Sequence, residues 1–153
     1  MRYFLFLVFF LLAGCSVKES NLVLLDSQCR VERVNDDYGV LFEMDVAGDE
    51  LPVIGEGESE YKKVYPDMGD FLKSCIVKYS GACLYPWSCE KKPKKVFEVK
   101  IESIFYDKKS GMYVAIYSID QSEFTLKRKA GDLTSFLRYL ASQIGRYILS
   151  KSS

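Results

Sequence analysis

The chain contains no histidine. It therefore lacks the side chain most often used as a general base near neutral pH and most often found as a metal ligand. A Ser or Cys nucleophile would have to be activated without it. None of the five cysteines forms a C-x-x-C pair. A thioredoxin-like redox centre and a zinc site built on closely spaced ligands are both disfavoured. There is no excess of charge, with 21 Lys+Arg against 21 Asp+Glu. Nucleic-acid binders usually show a basic excess or a recognisable motif, and neither is present. After residue 15 no apolar run reaches the roughly 20 residues needed to span a hydrocarbon core of about 30 Å. Long Gly-, Ser- or Pro-rich linkers and internal repeats are missing as well.

What is present starts at the N-terminus. Arg2 is the only charge before Cys15, and Phe4 to Leu12 is almost pure Phe, Leu and Val. A positive end, a short apolar run and small residues at a cleavage point have the proportions of a secretory signal. Leu12-Ala13-Gly14-Cys15 resembles the lipobox of bacterial lipoproteins. That resemblance implies cleavage before Cys15, a diacylglycerol on its thiol and acylation of the new amino group. In that family an Asp after the cysteine favours the inner membrane. Ser16 stands there instead, which implies the outer membrane, facing the periplasm. The expected organisation is a signal peptide over 1–14, a lipidated cysteine and short tether over 15–21, and one domain over 22–153. Removing Arg2 leaves Lys+Arg at 20 against 21 Asp+Glu, so the mature chain is nearly neutral.

Four further cysteines, Cys29, Cys75, Cys83 and Cys89, make an even number in an exported chain and point to two disulfides. Cys83 and Cys89 bracket the short run CLYPWSC and could close it, leaving Cys29 with Cys75. Cys75–Cys83 with Cys29–Cys89 is the competing arrangement.

Hydrophobic periodicity suggests the elements. Residues 28–34 and 38–46 read as a hairpin about the turn-forming NDDYG, with Val40, Phe42, Met44 and Val46 on one face. Gly48 to Tyr65 is acidic and Gly-bearing and reads as a surface loop. Met68, Phe71, Leu72, Cys75, Ile76 and Tyr79 form the stripe of a first helix, with Asp67 at its start and Gly81 at its end. Phe97, Val99, Ile101 and Phe105 share one face of a strand; MYVAIYSI is apolar on both faces and reads as central. EFTLKRK continues as a strand with Phe124 and Leu126 inward, and Asp132 caps a last helix over Leu133–Leu149. Ala141 and Gly145 should let that helix approach the sheet closely. The expected fold is α+β: an antiparallel sheet of about five strands, two helices on one face, order β-β-α-β-β-β-α.

No catalytic constellation emerges. Paired carboxylates could cleave a glycan, but no pair stands out among so many, so the protein reads as a non-enzyme without metal or cofactor. Three features read as binding candidates. Tyr85 and Trp87 sit in the cysteine-bracketed run, and Trp and Tyr are favoured interface anchors. Lys91, Lys92, Lys94 and Lys95 could meet anionic head groups. Ser110-Gly111-Met112-Tyr113 is similar to the S-G-x-Y motif of periplasmic lysozyme inhibitors, which would place Ser110 and Tyr113 in a lysozyme active site. The function expected is that of a membrane-anchored accessory factor binding an envelope protein, with lipid as the second partner through Cys15. Lysozyme inhibition is the alternative.

Overall fold

A computed structural model of the protein describes residues 22–26, 28–31, 33–57 and 60–152. The expected signal peptide, Cys15 and the expected tether lie outside the described residues. Eight strands and two helices follow one another: β1 (Leu22–Leu24), β2 (Asn35–Met44), β3 (Glu50–Ile54), β4 (Glu60–Tyr65), α1 (Met68–Ser80), β5 (Ala82–Leu84), β6 (Lys95–Asp107), β7 (Met112–Ile119), β8 (Ser122–Arg128) and α2 (Leu133–Ser152).

The strands form one mixed sheet, mostly parallel in its pairings. β1–β4, β2–β5, β2–β6 and β3–β6 are parallel, whereas β3–β4, β6–β7 and β7–β8 are antiparallel. The α+β class is as expected; the antiparallel sheet of five strands is not. The physical reason is that parallel partners must be far apart in sequence. β2 pairs with β6 across α1 and the cysteine-bracketed run, and no local turn signals such a contact.

Three local expectations change with it. None of the described residues of 28–34 lies in a strand, and β2 pairs with β5 and β6 instead of forming the expected hairpin. NDDYG opens β2 rather than making a turn. Asn35 pairs with Ala82, and the register then shifts so that Gly39 pairs with Cys83. The Asp37 N–H donates to Asn35 Oδ1 at 3.0 Å, so the turn chemistry is spent on a bulge. The expected loop from Gly48 to Tyr65 contains β3 and β4, whose Leu51, Val53 and Val64 are buried. Charged neighbours hid that alternation.

The helices are as the sequence suggests. The Asp67 carboxylate accepts from the Gly69 N–H at 2.7 Å, and Gly81 ends α1 with φ 71° while donating its N–H to the Val77 carbonyl. The Asp132 carboxylate accepts from the Ser135 N–H at 2.8 Å, a bond that holds its pKa below the usual carboxylate range. Phe71, Leu72 and Ile76 from α1 join Phe136, Leu137 and Ile144 from α2 and Val40, Phe97 and Ile101 from the sheet in one core. Each such side chain contributes about 1.5–3 kcal/mol on burial. Both helices therefore cover the same face.

β6 carries a bulge. Ile101 pairs with Tyr117 but Ser103 with Ile116, leaving Glu102 as the extra residue. An extra residue reverses the alternation of faces beyond it. Ile104, not Phe105, is therefore fully buried beneath the helices, and Phe105 pairs with Val114 on the opposite face. β7 lies between β6 and β8, and Phe124 and Leu126 pack toward the core, both as expected.

Gly145 corrects a further expectation. A Cβ placed there would lie 2.6 Å from Tyr79 Cβ and 2.8 Å from the Tyr79 carbonyl carbon. The close approach is thus between α2 and α1, not between α2 and the sheet. Alanine gains about 1 kcal/mol in helix propensity, but overpacking costs about 1–3 kcal/mol, and backbone cannot yield as a flexible side chain can. Gly145→Ala should lower the free energy of unfolding by up to about 2 kcal/mol in urea titration.

Candidate functional site

The two disulfides are Cys29–Cys75 and Cys83–Cys89, with Cα separations of 4.9 and 5.2 Å. This is one of the two pairings that the spacing left open. The first ties the segment before β2 to α1. The Cys29 N–H also donates to Ser74 Oγ at 3.2 Å, and the Ser74 hydroxyl donates to the Phe71 carbonyl at 2.8 Å. The second closes the loop after β5. There the Ser88 N–H donates to the Leu84 carbonyl and the Leu84 N–H to Ser88 Oγ, both at 2.8 Å.

Between the stapled segment and α1 runs a groove of about 440 Å³, walled by Val31, Val34, Val77 and Leu84 with Lys73 and Ser88 at its rim. Its surface is chiefly apolar. Lys73 lies 3.8 Å from Asp70, one turn earlier on α1, so the rim carries paired charge. Trp87 lies in the chain between groove-lining Leu84 and Ser88 and is 92 % exposed. Tyr85 is half-buried, and its N–H donates to the Val40 carbonyl at 2.9 Å. Gly39 lets the loop lie on β2: a Cβ there would be 3.0 Å from Pro93 Cγ and 3.1 Å from Tyr85 Cβ. The disulfide, the β2 contacts and the inner hydrogen bonds hold the loop in shape while its indole projects into solvent.

The lysines are differently employed. Lys91 and Lys94 share the Asp37 carboxylate at 2.9 and 3.8 Å. The hydrogen bond from Lys91 holds Asp37 below its ordinary pKa and raises that of Lys91. Lys95 sits over the Phe97 ring at 4.4 Å, and Lys92 is exposed. The cluster thus clamps the loop to β2 as well as presenting positive charge.

Ser110 and Gly111 lie in the turn between β6 and β7, where the Ser110 hydroxyl donates to Asp107 Oδ2 at 3.0 Å and Gly111 takes φ 67°. Tyr113 points the other way. It stacks on Phe136 with centroids 5.4 Å apart, and burial pushes its pKa up. Ser110 thus stays in the exposed turn while Tyr113 packs against α2. On the helix-free face Glu43 and Glu98 line a depression with Lys100 and Ser118. Asp45, 3.2 Å from Lys100, raises the lysine pKa through their hydrogen bond. Among the described residues no group of three or more His, Cys, Asp or Glu could hold a metal.

The groove itself escaped the sequence reading. Its signals were small: Val31 and Val34 three apart in a polar segment beside a cysteine, and Val77 off the apolar stripe of α1.

No protein-family model matches the chain, and no curated protein sequence does. Among solved structures, the crystal structure of an uncharacterized protein is similar, with a TM-score of 0.52 at 10 % identity, covering 84 % of this chain and 99 % of that one. At that identity the likeness shows the fold alone.

Cys29–Cys75 closes a loop with a sequence separation of 46 residues and Cys83–Cys89 one of 6. Loop-closure entropy then assigns roughly 4 kcal/mol to the first and about 2 kcal/mol to the second. Denaturant titration of the Cys29→Ala/Cys75→Ala and Cys83→Ala/Cys89→Ala variants should show the larger loss for the first pair.

Proposed function

We propose that this protein is a lipid-anchored, non-catalytic accessory factor of the bacterial outer membrane that docks an envelope protein from the periplasmic side. The observation that carries the reading is Trp87: an indole left almost wholly in water on a disulfide-closed loop whose Leu84 and Ser88 line an apolar groove. Large rigid aromatics next to apolar pockets are where binding energy concentrates, each such anchor being worth about 2 kcal/mol or more. The loop is already closed, so little ordering entropy is lost on binding. Lys92 and the Lys73–Asp70 pair give a polar rim around that centre.

The anchor supplies location. One acyl chain holds a protein only marginally, at about 0.8 kcal/mol per buried CH₂, whereas two or three make attachment effectively permanent. No helix among the described residues is long and apolar enough to cross a membrane.

A photoreactive residue at position 87 tests the docking in intact cells. It should give one discrete adduct, weakened when Val34→Asp is added in the groove. Against the partner so identified, Trp87→Ala should weaken binding about 20-fold or more by titration calorimetry. Binding unchanged by both substitutions removes the groove from the proposal. Separately, Cys15→Ser should abolish palmitate labelling and release the protein from envelope fractions.

A further inference from the structure

The face of the sheet away from the helices is not uniformly polar. Leu22 and Leu24 on β1, Tyr61 and Tyr65 on β4 and Ile54 on β3 are all exposed, Leu24 by 67 % and Tyr65 by 69 %. The register places them together. Leu24 lies opposite Tyr65 and Leu22 opposite Lys63, while Tyr61 lies opposite Pro52, two residues before Ile54. Their neighbours Val23, Leu51 and Val64 turn to the core face. These edge strands are thus apolar on both sides. Single exposed apolar residues are ordinary, but a contiguous set on one face marks an interaction surface. Lys63, in the midst of the set, is neutralised by Glu50 at 2.7 Å, so the patch has little charge with which to choose a charged partner.

We propose that this patch rests on the lipid surface that holds Cys15. The inference depends on the anchored reading above. Only six residues lie between Cys15 and Leu22, the first residue of the patch, a span of seven residue-to-residue steps. At most 3.3–3.6 Å per residue, that tether reaches about 25 Å. A domain of this length has a radius of gyration of about 14 Å, so the tether is shorter than the domain is wide. The domain cannot leave the bilayer, and the edge nearest the anchor is β1. Tethering makes even a weak contact intramolecular, with the effective concentration of a short linker. Leucine and isoleucine can enter the acyl boundary while tyrosines settle at head-group depth, where aromatic residues are enriched. The helices, and the groove walled by α1, occupy the opposite layer. A sheet lying on the bilayer therefore presents the Trp87 groove to the periplasm.

The test uses the full acylated protein in phosphatidylethanolamine–phosphatidylglycerol vesicles whose acyl chains carry bromine, a contact quencher of indole fluorescence. Trp87→Phe removes the native indole. In that background Leu24→Trp, or Tyr65→Trp should the first not fold, places a reporter in the patch, and Leu149→Trp places one on exposed α2. Patch reporters should lose at least half their emission relative to unbrominated vesicles, and the α2 reporter should lose none. Patch reporters left unquenched on protein that floats with the vesicles overturn the proposal while leaving the anchor standing. Equal quenching of all reporters overturns it too, because no face is then preferred. An unquenched, blue-shifted patch reporter in a species that crosslinks to itself assigns the patch to a second copy instead. Failure to float removes the anchor and this proposal with it.

Discussion

Strand β6 has more neighbours than two edges ordinarily allow. β7 runs along one edge; on the other, β2 takes Lys95 to Ile101 and β3 takes Tyr106 and Asp107. The bulge at Glu102 falls between those two stretches. It restores the apolar alternation to the helix side, so that Phe97, Val99, Ile101 and Ile104 all lie in one core. It also marks where one neighbour strand gives way to the next. β2 leads outward to β5 and the disulfide loop, and β3 leads outward to β4 and β1. Everything else in the molecule is hung from that single long strand.

The two surfaces with functional promise inherit this division. The Trp87 loop belongs to the half organised by β2, and the apolar patch to the half organised by β3. Cys29–Cys75 adds a covalent tie between the halves on the helix side, where both already share one core: the chain leaves β1, is stapled to α1 and only then enters β2. The groove lies along that staple: its walls are the segment that carries Val31 and Val34, the Val77 side of α1, and Leu84 at the end of β5.

Legibility in the sequence followed distance along the chain. Both helices could be read with their caps, because Asp67, Gly81 and Asp132 act within a turn of where they stand. β7 and β8 could be read as well, being joined by a tight connection. What failed was non-local or one residue out of step. NDDYG has the chemistry of a turn and uses it in a bulge against β5, a partner more than forty residues away. Phe105 looked inward until the extra residue at Glu102 turned Ile104 in instead. Trp87 could be singled out by its residue type and its bracketing cysteines. Val31, Val34 and Val77 could not, because they are brought together by contacts between segments more than forty residues apart, the Cys29–Cys75 disulfide among them.

The disulfides have one more consequence, for chemical accounting. The described residues contain four of the five cysteines, and all four are oxidised in pairs. That leaves Cys15 as the one sulfhydryl open to an alkylating reagent, unless the proposed thioether occupies it. On the lipid-anchored proposal, a colorimetric thiol count on unreduced, denatured protein reads zero for chains whose Cys15 carries the thioether and one for chains whose Cys15 does not. The fraction in between would report how far that modification has gone, without any radiolabel.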